Sequence, residues 1–390
     1  MKTAGRVDLK PLTSLRGIAA GMVVLYHYTG GFLPALNLGP HTGLVARGYL
    51  FVDLFFVLSG FVMAHAYGAV FAARVERSAW RSFVRARFAR IYPLHVVVLA
   101  GFVALETAKW LATQAGHDVG TPFNEASRPW QLGVNLLLLQ TSGILAFPTW
   151  NGPAWSIGAE FLVYLAFPFL SVAILRTGMP GRWAAGGAAV ALLLAISEGG
   201  RNLDQTARFG ALRCGAEFVL GMLAHRVYAS GRLQRVSGSG VVLGVAAATL
   251  FAIHLEAWDL LAPLGFAVLV PLLAGNRGVA ARALSRPWLV TLGLVSYSVY
   301  MVHYLLLEVV DLASRILIGE RIGAALGTGG SLAAFAAMSS VVLVLSVFLH
   351  RRVEEPARRW LRGELAQAAD GGTAKKPARS RTATRDNTVS

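Results

Sequence analysis

The chain has 390 residues, of which 55% are hydrophobic and only 14% charged, and its mean hydropathy is +0.56. A soluble domain carries about 25% charged residues, so this composition excludes a string of soluble domains and requires an integral membrane protein. The formal net charge of +16 raises nucleic acid as a partner, and the single cysteine, Cys214, excludes an intrachain disulfide or a cysteine-based metal site.

A helical span needs about 20 mostly apolar residues. Ten stretches qualify: 15–33, 48–70, 91–112, 153–175, 183–198, 208–226, 240–256, 258–274, 288–311 and 331–350. The first has no small-x-small cleavage site and runs into Tyr26-His27-Tyr28, which marks an uncleaved span rather than a signal peptide. An eleventh piece, Trp130–Gln140, is short and lies within the polar connection 113–152, where a full span, a re-entrant segment or an interfacial helix all fit. Residues 363–390, rich in Ala, Lys, Arg, Ser and Thr, are expected to form a disordered basic cytoplasmic tail behind a transmembrane domain over 1–362.

Lys and Arg collect in cytoplasmic loops. If Trp130–Gln140 is not a crossing, alternate connections are basic. Lys2, Arg6, Lys10 and Arg16 precede the first span; Arg74, Arg77, Arg81, Arg85, Arg87 and Arg90 fill the second connection. Arg176 and Arg182, then Arg226, Arg232 and Arg235, then Arg277, Arg282 and Arg286 follow on the same side. The opposite side holds Arg47, Lys109, Arg128, Arg201, Arg208, Arg315 and Arg321, and Arg213 falls within a span. The pattern predicts an all-α polytopic protein of about ten transmembrane helices with both termini in the cytoplasm. It also removes nucleic acid, whose binding needs the charge gathered on one folded face.

Ionisable groups inside a bilayer are costly, so each marks a candidate site. At ~1.5 Å of rise per residue, His27 lies about 16 Å deeper than Arg16, and eleven residues are roughly three turns, so the two share one helix face. Asp53, Glu160, Glu217 and His303 fall at similar depths from the opposite side, and a shared polar cavity is the arrangement that makes five such groups tenable. Asp53 and Glu160 serve equally well as helix–helix glue, and His27 alone as a structural histidine. His65, His95 and His350 read as snorkelling residues at cytoplasmic span ends, and His41, His117, His225 and His254 as loop or interface residues. No histidine pair has metal-ligand spacing with carboxylate or thiolate support, so no metal is expected.

Taken together, these segments resemble the membrane acyltransferase-3 family. Leu12-Thr-Ser-Leu-Arg-Gly through His27 is similar to its Arg-x10-His opening, with Arg16 and His27 at the two ends. Val52-Asp-Leu-Phe-Phe-Val-Leu-Ser-Gly-Phe61 resembles its second-span signature, and Arg87-Phe-Ala-Arg90 its Arg-x-x-Arg element. Trp155-Ser-Ile-Gly-Ala-Glu160 and Ser296-Tyr-Ser-Val-Tyr-Met-Val-His303 resemble two further elements, and Glu354-Glu-Pro356 the closing one. The order is the family's, from residue 12 to about 360. Thr13-Ser14 and Gly158-Ala159 depart from the usual residues, at positions given no chemical role.

The resemblance implies a stand-alone O-acyltransferase of the bacterial inner membrane. It implies transfer of acetyl from cytoplasmic acetyl-CoA to a hydroxyl of a surface or secreted carbohydrate, such as O-antigen, exopolysaccharide or lipo-oligosaccharide, presented free or on a lipid carrier. No cofactor is permanently bound; acetyl-CoA or another acyl-CoA is a co-substrate. His27 is expected to act as general base, or as a transient acyl carrier, with Asp53 or Glu160 orienting its ring. Arg16 anchors the donor at the cytoplasmic mouth, and Arg87 and Arg90 are expected on its phosphates. Trp155, Tyr164, Tyr297 and His303 are expected on the acceptor side. The rival reading is a transporter or flippase of a glycan or lipid-linked precursor, which a polar mid-membrane cavity also suits.

Overall fold

The structure is a computed structural model that describes residues 9–361. The predicted tail over 363–390 therefore lies outside the described residues, as do Lys2 and Arg6. Among the described residues every regular element is helical. Helix α1 (Lys10–His27) carries a proline in its first turn, where the missing N–H would have no partner anyway, and passes into a wider π-turn over Tyr28–Phe32. Short α2 (Gly43–Ala46) leads into α3 (Phe51–Tyr67). Helix α4 (Arg77–Gln114) has 38 residues, about 57 Å at ~1.5 Å each, so it exceeds a ~30 Å hydrocarbon core.

After α5 (Pro129–Leu136) come α6 (Trp155–Arg176), α7 (Met179–Ile196) and α8 (Gly210–Ala229). Then follow α9 (Ser239–His254), α10 (Leu261–Gly275), α11 (Val279–Leu284) and the bent pair α12 (Pro287–Leu294) and α13 (Ser296–Ile318), which meet at 63°. Helices α14 (Ile322–Ala325), α15 (Thr328–Leu349) and α16 (Glu355–Leu361) complete the chain. Among the described residues five helices (α3, α4, α6, α7 and α15) are long and apolar enough to cross a membrane, or six if the bent pair is one span. Helices α9 and α10 are apolar but shorter, and α1 and α8 are interrupted by Arg16 and by Arg213, Glu217 and Arg226. Phe169, Leu243, Val268 and Val344 are exposed on the outside of four helices, as a surface against lipid tails requires.

Two close helix crossings set the frame of the site. On α3 and α8, a Cβ at Gly60 would overlap the Phe218 carbonyl oxygen and one at Gly221 the Val57 carbonyl oxygen. On α1 and α12, a Cβ at Gly17 would come within 2.7 Å of the Gly293 nitrogen, and one at Gly293 would overlap the Thr13 carbonyl. Only glycine allows backbones this near, and the second crossing fixes the helix turn that carries Arg16.

The piece around Trp130–Gln140 turns back on itself. Helix α5 has eight residues, about 12 Å, too short to cross. The Trp150 N–H donates to Ala126 (2.6 Å), Asn135 Nδ2 donates to Thr149 Oγ1 (2.9 Å), and Gln140 Nε2 donates to Ala154 (2.8 Å), so both limbs lie together. This path fits the re-entrant or the interfacial reading and not a full span. It also corrects the reading of His95: rather than snorkelling, the ring is 1% exposed and its Nε2 bonds the Asn135 carbonyl at 2.9 Å.

Candidate active site

Helix α1 ends in a histidine pair. His27 Nδ1 lies 2.9 Å from the Val23 carbonyl, and His303 Nε2, on α13, lies 3.3 Å from the same nitrogen. His303 Nδ1 is 3.2 Å from the Val299 carbonyl. A single tautomer set satisfies all three contacts: each Nδ1 carries the proton and donates to the carbonyl one turn back. His303 Nε2 then shares the His27 proton, and His27 Nε2 keeps its lone pair with no hydrogen-bond partner among the described residues. Tyr28 OH donates to the His303 carbonyl (3.0 Å), and the rings of Tyr26 and Tyr304 stand edge-on to His27 at 4.9 and 5.6 Å.

His27 lines a cavity of about 350 Å³, and His303 stands buried behind it. The π-turn supplies Gly30, Gly31 and Phe32 to its wall, and α13 supplies Tyr304, Leu307, Glu308 and Asp311. Both carboxylates have cationic partners: Lys109 Nζ donates to Glu308 (3.2 Å), and Arg315 and Arg321 pair with Asp311 at 2.9 and 3.2 Å, Arg321 itself lining the cavity.

The opposite end of α1 enters a cationic cluster. Arg16 is close enough to Arg87 and Arg90 for their charges to repel, and Glu160 and Tyr164 lie in the same cluster. Arg87 is 8% exposed; its guanidinium donates to Tyr67 OH (3.1 Å) and lies over the Tyr67 and Tyr164 rings at 5.3 and 5.9 Å. Glu160 Oε1 accepts from Tyr164 OH (2.5 Å) and from the Ser59 hydroxyl. None of the three arginines forms an ion pair among the described residues, and Nε of Arg16 and of Arg87 is buried without a hydrogen-bond partner. Three guanidiniums facing one carboxylate leave an excess of positive charge, which suits a multiply charged anion.

Between the two ends lies a fully buried ionic group. Arg213 Nε donates to Asp53 Oδ1 (2.7 Å), with Glu217 Oε1 at 3.6 Å from the same Nε, and the guanidinium lies over the Trp155 ring at 5.4 Å. A neutral chain runs alongside: Ser156 Oγ donates to Tyr300 OH (2.8 Å), and the Tyr300 ring lies 5.9 Å from that of His303.

The sequence-predicted residues therefore fall into three groups rather than one shared cavity. Asp53 is bonded to Arg213, and Glu160 to Ser59 and Tyr164; the bonds that orient His27 come from Val23 and His303. Of the residues expected on the acceptor side, only His303 joins the His27 end. Trp155 packs under Arg213, Tyr164 sits among the arginines, and Tyr297 donates to the Ile91 carbonyl (2.6 Å) near Arg90. Sequence reasoning assigned no role to Ser59, Ser156 and Tyr300, although all three lie in the quoted motifs. It also passed over Glu308 and Asp311, whose signal was the spacing 304, 307, 308, 311, one helix face continuing from His303.

Residues 11–351 match the family described as the acyltransferase domain, Acyl_transf_3. The chain belongs to the membrane acyltransferase-3 family. It is 31% identical over 410 aligned residues to the acyltransferase MdmB of Streptomyces mycarofaciens, covering 95% of this chain and 97% of that protein. It is also 35% identical over 163 residues to protein 2 in the picA locus of Rhizobium radiobacter, covering 39% of this chain and 76% of that one. No solved structure matches it. Membership of this family and the likeness to MdmB make the chain a membrane-associated acyltransferase and set the transporter reading aside.

Proposed function

We propose that the protein transfers an acyl group, acetyl by preference, from cytoplasmic acyl-CoA to a hydroxyl of a cell-surface or secreted carbohydrate. The observation that carries this reading is the placement of α1. Its Arg16 end enters a cluster with too few carboxylates for its arginines, and its His27 end lines a cavity of carbohydrate size. On this reading Arg16, Arg87 and Arg90 hold the donor's phosphates, and the pantetheine arm extends along α1 toward His27. Glu308 and Asp311 accept hydrogen bonds from acceptor hydroxyls, with Tyr26 and Tyr304 beside the sugar ring.

His27 Nε2 removes the proton of the attacking hydroxyl as its oxygen bonds the thioester carbonyl. The carbon–sulfur bond then breaks, and the CoA thiolate leaves and takes up a proton. His303 accepts from Nδ1–H and steadies the imidazolium, the part a carboxylate plays in hydrolase triads. An acyl-histidine route would use the same lone pair. The protein crosses the inner membrane ten times with both termini cytoplasmic, its bent α12–α13 pair forming one span and Trp130–Gln140 none.

The test uses purified protein in vesicles with radiolabelled acetyl-CoA and a soluble oligosaccharide acceptor. Wild type transfers label, and His27→Ala lowers the rate by about 10²–10⁴, the range for a general base. Transfer by His27→Ala at the wild-type rate refutes the role of His27. Acid-quenched protein carrying the acetyl group on His27 would select the acyl-carrier route over direct attack.

A further inference from the structure

A second cavity of about 350 Å³ lies among the last turns of α3, α6 and α8, and shares no lining residue with the cavity at His27. Part of its wall is apolar, formed by Ala64, Ile174, Leu175 and Met222. The polar part of its lining is His65, His225, Arg226 and Ser171, with no carboxylate. His65 Nδ1 and His225 Nε2 are 3.3 Å apart. Ser171 is fully buried, and its hydroxyl has no hydrogen-bond partner among the described residues. Arg182, in the first turn of α7, is near enough to Arg226 for the two charges to repel.

Neither guanidinium forms an ion pair among the described residues, and the Nε of each is buried without a hydrogen-bond partner. Two adjacent cations and a buried hydroxyl without an acceptor are a poor arrangement unless an anion occupies the space between them. Guanidinium forks match phosphate oxygens, and phosphate-bearing lipids are what a membrane supplies at this depth. The apolar wall suits the first carbons of an acyl chain. A metal cation is disfavoured by the same two arginines.

We propose that this cavity binds an anionic phospholipid of the leaflet on the arginine-rich side, with its phosphate held by Arg226 and Arg182 and its glycerol oxygens met by Ser171 and the histidine pair. The test exposes the purified full chain to vesicles of equal phosphatidylglycerol and phosphatidylcholine content and counts retained lipids by native mass spectrometry. Wild type is expected to retain phosphatidylglycerol over phosphatidylcholine, and Arg226→Gln and Arg182→Gln each to lower that retention about tenfold, the loss of one charge-assisted bond. Arg235→Gln, which removes a surface charge outside the cavity, should retain it as wild type does. Equal retention of the two lipids, or variants that retain phosphatidylglycerol like wild type, would overturn the proposal. Displacement of the lipid by millimolar inorganic phosphate would also overturn the lipid assignment, because a free anion would then be the occupant.

Discussion

Replacing Arg213 with methionine removes the only cation bonded to Asp53 among the described residues and leaves Glu217 beside it, all three side chains being fully buried. With no solvent to screen them, the stranded carboxylates should cost about 3–5 kcal/mol. That is a large part of the ~5–15 kcal/mol by which folded proteins exceed their unfolded states. Loss of the contact with Trp155 adds to the damage at the start of α6. The assay is thermal unfolding of detergent-purified protein, followed by size-exclusion chromatography after heating. Arg213→Met should unfold well below wild type. The triple variant Arg213→Met, Asp53→Leu, Glu217→Gln should recover most of the loss, since an apolar replacement of a complete buried ionic group is often neutral. If the single variant melts with wild type, or the triple variant melts with the single one, the ionic group is not what holds α3 to α8.

At the α3–α8 crossing, Gly60→Ala or Gly221→Ala places a methyl group on a carbonyl oxygen of the facing helix, and each should destabilise by about 1–3 kcal/mol, read in the same melts. Asp259 accepts from Arg47, from Tyr49 OH (2.7 Å) and from the Leu203 N–H (2.8 Å), tying three loops together. Asp259→Ala should therefore cost about 3 kcal/mol, and proteolysis should cut first in the loop 197–209. His303→Ala leaves His27 Nδ1 its bond to Val23 but removes the side chain that steadies the ring; acetyl-transfer kinetics should show kcat lower by about tenfold or more with KM nearly unchanged. In a cysteine-accessibility experiment on a Cys214→Ser background, a cysteine at Ser142 should react from the extracytoplasmic side and one at Arg74 from the cytoplasmic side. Labelling of both from one side would refute the ten-span topology.

Much of this architecture is legible in the sequence because hydrophobic run length and charge placement are set residue by residue. Each of the ten apolar stretches corresponds to helix, and Arg16 lies near Arg87 and Arg90. What sequence does not carry is which buried group pairs with which. Asp53 is drawn to Arg213 because the two sit across one glycine-tight crossing, and depth along separate helices cannot show that. Nor does the sequence carry the bend at Val295, which brings α13 alongside α1 so that His303 meets His27. The burial of His95 is hidden for a related reason: its partner is the backbone carbonyl of Asn135, and a backbone carbonyl has no signature in side-chain pattern.

On the function proposed here, His27 drives acyl transfer to an exported carbohydrate. The most direct measurement compares the extracellular glycan of a deletion strain complemented with wild type or with His27→Ala, at equal membrane abundance, by mass spectrometry before and after mild base. Wild type should restore a base-labile acetyl group, and His27→Ala should not. Restoration by both would contradict that role of His27.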